Sequence, residues 1–288
     1  MGMELGLTEL PLALFSTLSP MGAGAFMLLA VAFFTRSLDE EALKKVDRLT
    51  VIPLLFVIVG FICAFFHLAS PQHAFGVFAN IGFSPMSNEI LMGVIFCLVA
   101  IVYWIVAMAT KMSEGLRKGL SAVVAIVGLV FCVFVGLAYG MDTIPSWDNA
   151  MVPLSTLLFG LLGGSAVGMG VIYSADCFDG SAKQFNMVAL VLSWAGAIGS
   201  ALFFGLNMGT VSGLENNMML GADVIGALLP WIITAVIVIL LTGVALTFEI
   251  QKKRAVFYTW IVVIVAFVGI LIARLAFYGA EFSVGLGI

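Results

Sequence analysis

Charge is the scarcest feature of this 288-residue sequence. Only 10% of its residues are charged, 62% are hydrophobic, and the mean hydropathy is +1.20. A soluble domain of this length needs far more charge to cover its surface. The composition therefore excludes an ordinary water-soluble protein and predicts one transmembrane domain over residues 1–288. The lipid bilayer is its expected surrounding, and no nucleic-acid partner is expected.

Cysteine and histidine are also rare, which limits the metal groups that the chain could hold. The four cysteines are far apart and form no C-x-x-C pair, so neither a zinc site nor an iron–sulfur cluster is expected in this chain. They are Cys63, Cys97, Cys132 and Cys177. The only histidines are His67 and His73. A haem b held between helices usually needs two facing imidazoles, so no haem is expected either.

Long apolar runs dominate what remains. A bilayer core of about 30 Å takes roughly 20 apolar residues per helix, and eight runs are long enough. They cover about 10–34, 50–70, 90–110, 119–140, 151–173, 186–208, 224–248 and 256–277. The breaks between them carry proline, glycine, asparagine and charge. The sequence therefore predicts an all-α membrane protein of eight transmembrane helices.

The basic residues predict the orientation of these helices. Eleven of the twelve lie in the first, third, fifth and seventh connections, and the twelfth is Arg274 near the end of the last helix. The eleven are Arg36, Lys44, Lys45, Arg48, Lys111, Arg117, Lys118, Lys183, Lys252, Lys253 and Arg254. Because Lys and Arg concentrate in cytoplasmic loops, both termini are expected outside.

A weak internal similarity suggests two halves, 1–140 and 141–288, each of which would be a four-helix bundle. The matching positions are Pro11-Leu12 with Gly22 and Pro153-Leu154 with Gly164. A chance recurrence is the alternative. Gly160, Gly164 and Gly168 recur every four residues, which predicts the close approach of a neighbouring helix.

Ionisable residues collect at the predicted outer helix ends. His67 closes the second helix and Glu89 opens the third, while Arg274 lies at a similar depth, about 27 Å along the eighth helix. The connection between His67 and Glu89, residues 71–88, has no Lys or Arg yet is rich in large apolar side chains. These include Phe75, Phe78, Phe83 and Met86. Such a loop is expected to lie on a partner or to roof a pocket, and to bring His67 and Glu89 together.

Simpler interpretations exist for each of these residues. His67 could cap a helix C-terminus, Glu89 could favour a helix dipole, and Arg274 could extend to the outer interface. Asp142 and Asp148 are expected to be turn and cap residues. A transporter is a further alternative, but the sequence has neither the central carboxylates nor the broken helices that mark ion-coupled transport.

Several motifs resemble those of the membrane-anchor subunits of bacterial dimethyl sulfoxide reductase and its relatives. They extend from the first helix to the last, and the block from His67 to Ile90 is the most specific. The motifs are Glu9-Leu10-Pro11-Leu12, His67-Leu68-x-Ser70-Pro71 with Ala74-Phe75, Ser87-Asn88-Glu89-Ile90, Asp142-Thr143-x-Pro145-x-Trp147, Pro153-Leu154-Ser155, Gly163-Gly164, and Arg274 with Phe277-Tyr278-Gly279.

The resemblance implies a haem-free anchor in the bacterial cytoplasmic membrane that oxidises menaquinol near the outer face. Its expected partners are an iron–sulfur electron-transfer subunit and a molybdopterin catalytic subunit, which carries out the terminal reduction. His67 and Glu89 match the positions associated with menaquinol binding. Arg274, His73, Ser70 and Phe75 are the expected supporting residues.

The resulting hypothesis assigns the two quinol protons. His67 is expected to accept one, because an imidazole has an unperturbed pKa of about 6.5. Glu89 would take the second or hold the other imidazole nitrogen, and Arg274 would orient Glu89 or a quinone oxygen. A structural anchor without quinol activity is the main alternative, since the family pattern has glycine where Ala69 stands and a basic residue other than histidine at His73.

Overall fold

The protein is almost entirely helical. The computed structural model describes residues 2–67 and 71–283, and the side chains of 71–75 are outside that description. The α-helices are α1 (Gly2–Thr8), α2 (Leu10–Thr35), α3 (Glu40–Leu49), α4 (Val51–His67), α5 (Pro85–Ala109), α6 (Glu114–Leu137), α7 (Met151–Ser174), α8 (Lys183–Ser212), α9 (Gly221–Gln251) and α10 (Val256–Gly279), with a 3-10 helix at Pro71–Asn80. The described ranges contain no β-strand.

Eight of the described helical segments are long and apolar enough to cross a membrane, as predicted. Seven are single helices, and α3 with α4 forms the eighth, Glu40–His67. The amphipathic α3 precedes the apolar part of this span, and Asp39 caps it by accepting a hydrogen bond from Ala42 N at 2.7 Å. The outward placement of both termini stays a prediction.

The third span begins earlier than its apolar run. Ser84 caps α5 by accepting a hydrogen bond from Ser87 N at 3.4 Å, and Pro85 follows it. Proline suits the first helical turn, where an amide hydrogen would have no partner in the helix. Glu89 is therefore inside α5 rather than at its opening residue, which moves its side chain from the helix end into the packed interior.

Two helices, α2 and α7, form the centre of the bundle. In each, 83% of the most apolar 18-residue window is buried, against 22% to 39% in the other spans. They cross where Gly24 faces Gly160 and Gly164, and a Cβ on Gly164 would collide with the backbone of Gly24. The close approach predicted from the glycine spacing is confirmed.

The remaining spans surround this central pair in chain order. Helices α4 and α6 pack beside α2, with α5 against α6 and α4, and α8, α9 and α10 pack beside α7. Further contacts join α2 to α10 and α6 to α7. The division into two repeated halves stays a prediction, but α10 reaches α2 and so brings the end of the chain against its beginning.

A layer of aromatic rings closes the packing beneath Glu89. Phe61 lies 5.1 Å from Phe15 and 5.9 Å from Phe131 between ring centroids, and Phe131 stacks on Phe96 at 5.7 Å. Gly93, one helical turn beyond Glu89, lies against the Phe61 and Phe131 rings and leaves no space for a side chain. This apolar layer separates the polar groups at this end of the bundle from the membrane centre.

Candidate functional site

His67 lies beside Glu9 where α4 ends and α2 begins. Its Nδ1 is 3.4 Å from Glu9 Oε2, and the side chains are 39% and 23% exposed. Glu9 occupies the junction between α1 and α2. A carboxylate beside one ring nitrogen fixes the orientation of an imidazole and leaves the other nitrogen available as a base. The structure thus places Glu9, rather than Glu89, in the position of a partner for the imidazole.

Glu89 is buried and has no hydrogen-bonding partner for Oε1 among the described residues. No ion pair joins it to His67 within 4.0 Å in the part of the chain that is described. Instead it lies within electrostatic range of Arg274 and of Tyr139. A buried carboxylate oxygen without a hydrogen bond is costly. It marks a position where a water or a ligand hydroxyl would be stabilised.

Arg274 is held by a hydrogen-bond network between α2 and α10. Its Nε donates to Ser16 Oγ at 2.8 Å, and its Nη2 donates to Tyr278 OH at 3.3 Å. The hydroxyls of Ser16 and Tyr278 are 3.1 Å apart, and Tyr139 OH hydrogen-bonds to Tyr278 OH. Arg274 as a whole is only 1% exposed. The alternative that Arg274 extends to the outer interface is therefore wrong.

Aromatic rings enclose the Arg274 guanidinium. Its Cζ lies 4.4 Å from the ring centroid of Phe277, 5.1 Å from that of Tyr139 and 5.2 Å from that of Tyr278. Trp147, from the connection after α6, stacks on Phe277 at 5.5 Å. Cation–π contacts stabilise a cation that has lost its water. The rings and the hydroxyls together fix the positive charge within electrostatic reach of Glu89.

A second carboxylate, Glu281, lies near the junction residue Glu9. Burial raises the pKa of Glu281, and the negative charge of Glu9 raises it further. Glu281 directly follows the turn that ends α10. The His67–Glu9 pair therefore stands near a third ionisable group at the water-exposed edge of the site.

The other predicted supporting residues fall in the second connection. Ser70 lies outside the described residues, as do the side chains of His73 and Phe75. The backbone from 71 to 80 forms the 3-10 helix, and the large apolar side chains beyond it point outward. Among them Phe83 is 91% exposed.

No group of three or more His, Cys, Asp or Glu side chains suited to a metal occurs in the described ranges. The four cysteines are free thiols, of which Cys132 and Cys177 are buried. The expected absence of haem and of an iron–sulfur cluster stays a prediction.

Sequence reasoning did not identify several residues of the site. Ser16, Tyr139 and Tyr278 are neutral side chains whose contacts join residues 139 to 262 positions apart. Glu9 and Tyr278 stood inside the motifs quoted above, but no spacing indicated their partners. A second missed group lies at the other end of the bundle, where Asp47 accepts hydrogen bonds from Tyr103 OH at 2.6 Å and from Arg117 Nε at 3.0 Å.

The fold and this site define a multi-pass membrane protein with a buried arginine, a buried glutamate and a histidine–glutamate pair at one end of its helix bundle. The family described as "DMSO reductase anchor subunit (DmsC)" matches residues 3–280. The chain belongs to that family.

Three relatives are similar over almost their whole length. The C subunit of the anaerobic dimethyl sulfoxide reductase of Escherichia coli is 30% identical, with 98% of each protein covered. The protein of the same name from Haemophilus influenzae is 27% identical, with 99% of each covered. The anaerobic dimethyl sulfoxide reductase subunit YnfH of Escherichia coli is 28% identical, again with 98% of each covered.

Proposed function

We propose that this chain anchors a molybdoenzyme reductase in the bacterial cytoplasmic membrane and oxidises menaquinol near the outer face. It would pass the electrons to an iron–sulfur subunit, which feeds a molybdopterin catalytic subunit. Membership of the anchor-subunit family supports the anchoring role, and the names of the relatives support a reductase complex. The terminal reduction takes place in the catalytic subunit.

The observation that carries the proposal is the buried Glu89 carboxylate with its unpartnered Oε1. A quinol hydroxyl is a hydrogen-bond donor of the kind that this oxygen lacks. Hydrogen bonds to a charged acceptor are stronger than neutral ones. Glu89 is therefore suited to hold one hydroxyl of the quinol and to receive its proton during oxidation.

The His67–Glu9 pair supports a second proton acceptor. If Glu9 accepts the hydrogen of Nδ1, the lone pair of Nε2 faces away from Glu9 and can take the proton of the other quinol hydroxyl. Both side chains are partly exposed, so the proton can continue to water. Menaquinol would leave as menaquinone after giving up two electrons and two protons.

Arg274 supports the proposal through charge. Its guanidinium has no carboxylate within 4.0 Å among the described residues, yet it interacts electrostatically with Glu89 and is fixed by Ser16 and Tyr278. A fixed positive charge nearby attracts the carboxylate of Glu89 and an oxygen of the quinol, and so holds both in place. We assign Arg274 a positioning role, because its Nε and Nη2 already donate hydrogen bonds to Ser16 and Tyr278.

Exposed apolar side chains near His67 support a partner on this face. Phe66 is 77% exposed at the end of α4, and Phe83 and Met86 are exposed before and within the first turn of α5. An apolar surface next to a redox site is what an iron–sulfur subunit needs to bring a cluster close to the quinol. Electrons would cross this interface, and protons would leave to the outside.

The test is menaquinol oxidation by the intact three-subunit complex with His67→Gln or Glu89→Gln. We expect each variant to lose most quinol oxidation, on the order of 100-fold for a general base. A reduced viologen dye, which donates directly to the partner subunits, provides the control. Dye-driven turnover should stay unchanged if the complex is assembled.

Two results would contradict the proposal. Normal quinol oxidation in both variants would remove His67 and Glu89 from the site. A wild-type complex that turns over with the dye but never with menaquinol would identify the chain as a structural anchor alone.

A further inference from the structure

A cavity of about 610 Å³ lies at the opposite end of the bundle from the candidate quinol site. It opens between the end of α2, the helix α3, the end of α5 and the start of α6. Ser16 and Arg36 mark the two ends along α2, about 30 Å apart at 1.5 Å per residue. The cavity is therefore unconnected with the proposed quinol chemistry, and it lies on the face predicted to be cytoplasmic.

Basic side chains outnumber acidic ones in the lining, five to three. Two of the ion pairs are exposed and weak: Lys111 with Glu40 at 3.4 Å, and Lys118 with Glu114 at 2.6 Å. An anion could displace either carboxylate at little cost, because both pairs are surrounded by water.

The third acidic residue, Asp47, is unavailable to compete with a ligand. Arg117 and Tyr103 hold it in a buried cluster, with Arg117 Nη2 3.0 Å from Asp47 Oδ2. This cluster gives the cavity a fixed wall that ties α3 to α5 and α6. It also neutralises Arg117, so the excess positive charge of the lining comes from Arg36 and Lys44.

Arg36 is a half-buried cation without a carboxylate within 4.0 Å in the described ranges. Its guanidinium donates to the Cys177 carbonyl and lies 5.3 Å from the ring centroid of Phe185. Burial lowers the pKa of Arg36, although the Cys177 thiol and the Asp179 carboxylate act in the opposite direction. An arginine keeps its charge under these conditions, so this side of the cavity still lacks a counter-ion.

The rest of the lining is apolar and adjoins the lipid-facing surface. Phe33, Met108 and Met112 line the cavity. At its margin Phe34 is exposed, and Lys118 Nζ lies 6.0 Å from the centroid of its ring. A ligand that fits must combine a compact negative charge with an apolar body that continues into the bilayer.

We propose that this cavity binds the phosphodiester headgroup of an anionic phospholipid, with Arg36 and Lys44 as its principal charge partners. Basic pockets between transmembrane helices on the cytoplasmic side are suited to such headgroups. The site is separate from the proposed quinol oxidation and does not depend on it. A bound lipid would fill the space between α3 and α5 and hold the inner ends of the first spans together.

The test uses the intact complex in phosphatidylcholine nanodiscs titrated with phosphatidylglycerol, with bound lipid counted by native mass spectrometry. The cavity variant is Arg36→Gln with Lys44→Gln, which removes the two charges that the proposal assigns to the headgroup. The matched control is Lys183→Gln with Lys252→Gln, lysines of the same predicted face outside the cavity. A parallel titration adds excess inorganic phosphate.

Loss of two charges should weaken phosphatidylglycerol retention roughly thirtyfold in the cavity variant and leave the control near wild type. An equal loss in both variants would overturn the proposal, since it would reflect the general charge of the surface. Unchanged retention in the cavity variant would also overturn it. Displacement of the lipid by inorganic phosphate would overturn the lipid assignment and identify a soluble phosphate site.

Discussion

Arg274 Nε donates a hydrogen bond to Ser16 Oγ at 2.8 Å, and this bond joins residues 258 positions apart in the sequence. It connects the last span to the first and fixes the positive charge that faces Glu89. Because both side chains are fully buried, water cannot replace either partner. The order of the proposed quinol site depends on this contact between α2 and α10.

Ser16→Ala is therefore expected to lower the free energy of unfolding by about 1–3 kcal/mol, because it leaves the buried Arg274 Nε without an acceptor. Denaturant titration of the purified chain in detergent measures this change. Ser200→Ala is the matched control, since Ser200 is equally buried but bonds only to the backbone of its own helix. Equal losses in the two variants would refute a special role for the Ser16–Arg274 bond.

The buried Asp47 cluster predicts a larger effect at the other end of the bundle. Asp47→Leu should lower the free energy of unfolding by about 3–5 kcal/mol, because it leaves Arg117 buried without its counter-ion. Glu114→Gln removes the exposed ion pair between Glu114 and Lys118 on α6, and it should change the free energy of unfolding by less than about 1 kcal/mol. Thermal unfolding of both variants measures the two effects. An Asp47→Leu variant as stable as Glu114→Gln would contradict the prediction.

Gly164 at the α2–α7 crossing should not tolerate a side chain. In Gly164→Ala the new methyl group meets the Gly24 backbone, which cannot move without separating the two central helices. We expect a loss of about 1–3 kcal/mol or more from such overpacking. Gly205→Ala on α8, where nothing lies within 4 Å of the new methyl group, should be neutral or slightly stabilising. Denaturant titration of the two variants measures the difference. Equal free energies of unfolding in Gly164→Ala and Gly205→Ala would contradict the prediction.

Glu281 predicts a pH-dependent change in stability. Its pKa is raised above the ordinary value of 4.5 by burial and by Glu9. The folded state therefore holds the proton more tightly than the unfolded state, so stability falls as the pH rises from the ordinary pKa to the raised one. Glu281→Gln removes this loss and should raise the melting temperature slightly at neutral pH.

The same substitution should have no stabilising effect at a pH below the ordinary pKa, where the wild-type side chain is already neutral in both states. Glu9→Gln removes one cause of the raised pKa, so combining the two substitutions should give less than the sum of their separate effects. A stabilisation by Glu281→Gln that is independent of pH would contradict the assigned cause.

The helices could be predicted from the sequence because apolar run length is a direct physical requirement of the bilayer. The runs at 10–34 and 151–173 match α2 and α7 within a residue at each end. The predicted start of the third span, at residue 90, was too late. A helix continues past its apolar part into the interface, and α5 begins directly after its cap at Ser84. Apolar run length also did not predict α1 and α3, because α1 is short and α3 is charged.

The site was harder to predict, because its contacts join distant parts of the chain. Helix length alone predicts that His67, Glu89 and Arg274 lie near the same end of the bundle. It does not predict which residues they contact. The aromatic enclosure of Arg274 depends on how α6 and α10 rotate against each other, and no spacing in the sequence encodes that rotation. The pairing of His67 with Glu9 likewise required the helix junction at residue 9, which interrupts no apolar pattern.

The most direct test of the quinol site is to photo-crosslink an azido-naphthoquinone to the intact complex and map the labelled peptides by mass spectrometry. A site at this end of the bundle predicts label on the first two turns of α2 and α5 and on the end of α4, near Ser16, Glu89 and His67. Menaquinone should displace that label. Glu89→Gln should reduce it. Label confined to other spans, or label that menaquinone does not displace, would contradict a quinol site at this end of the bundle.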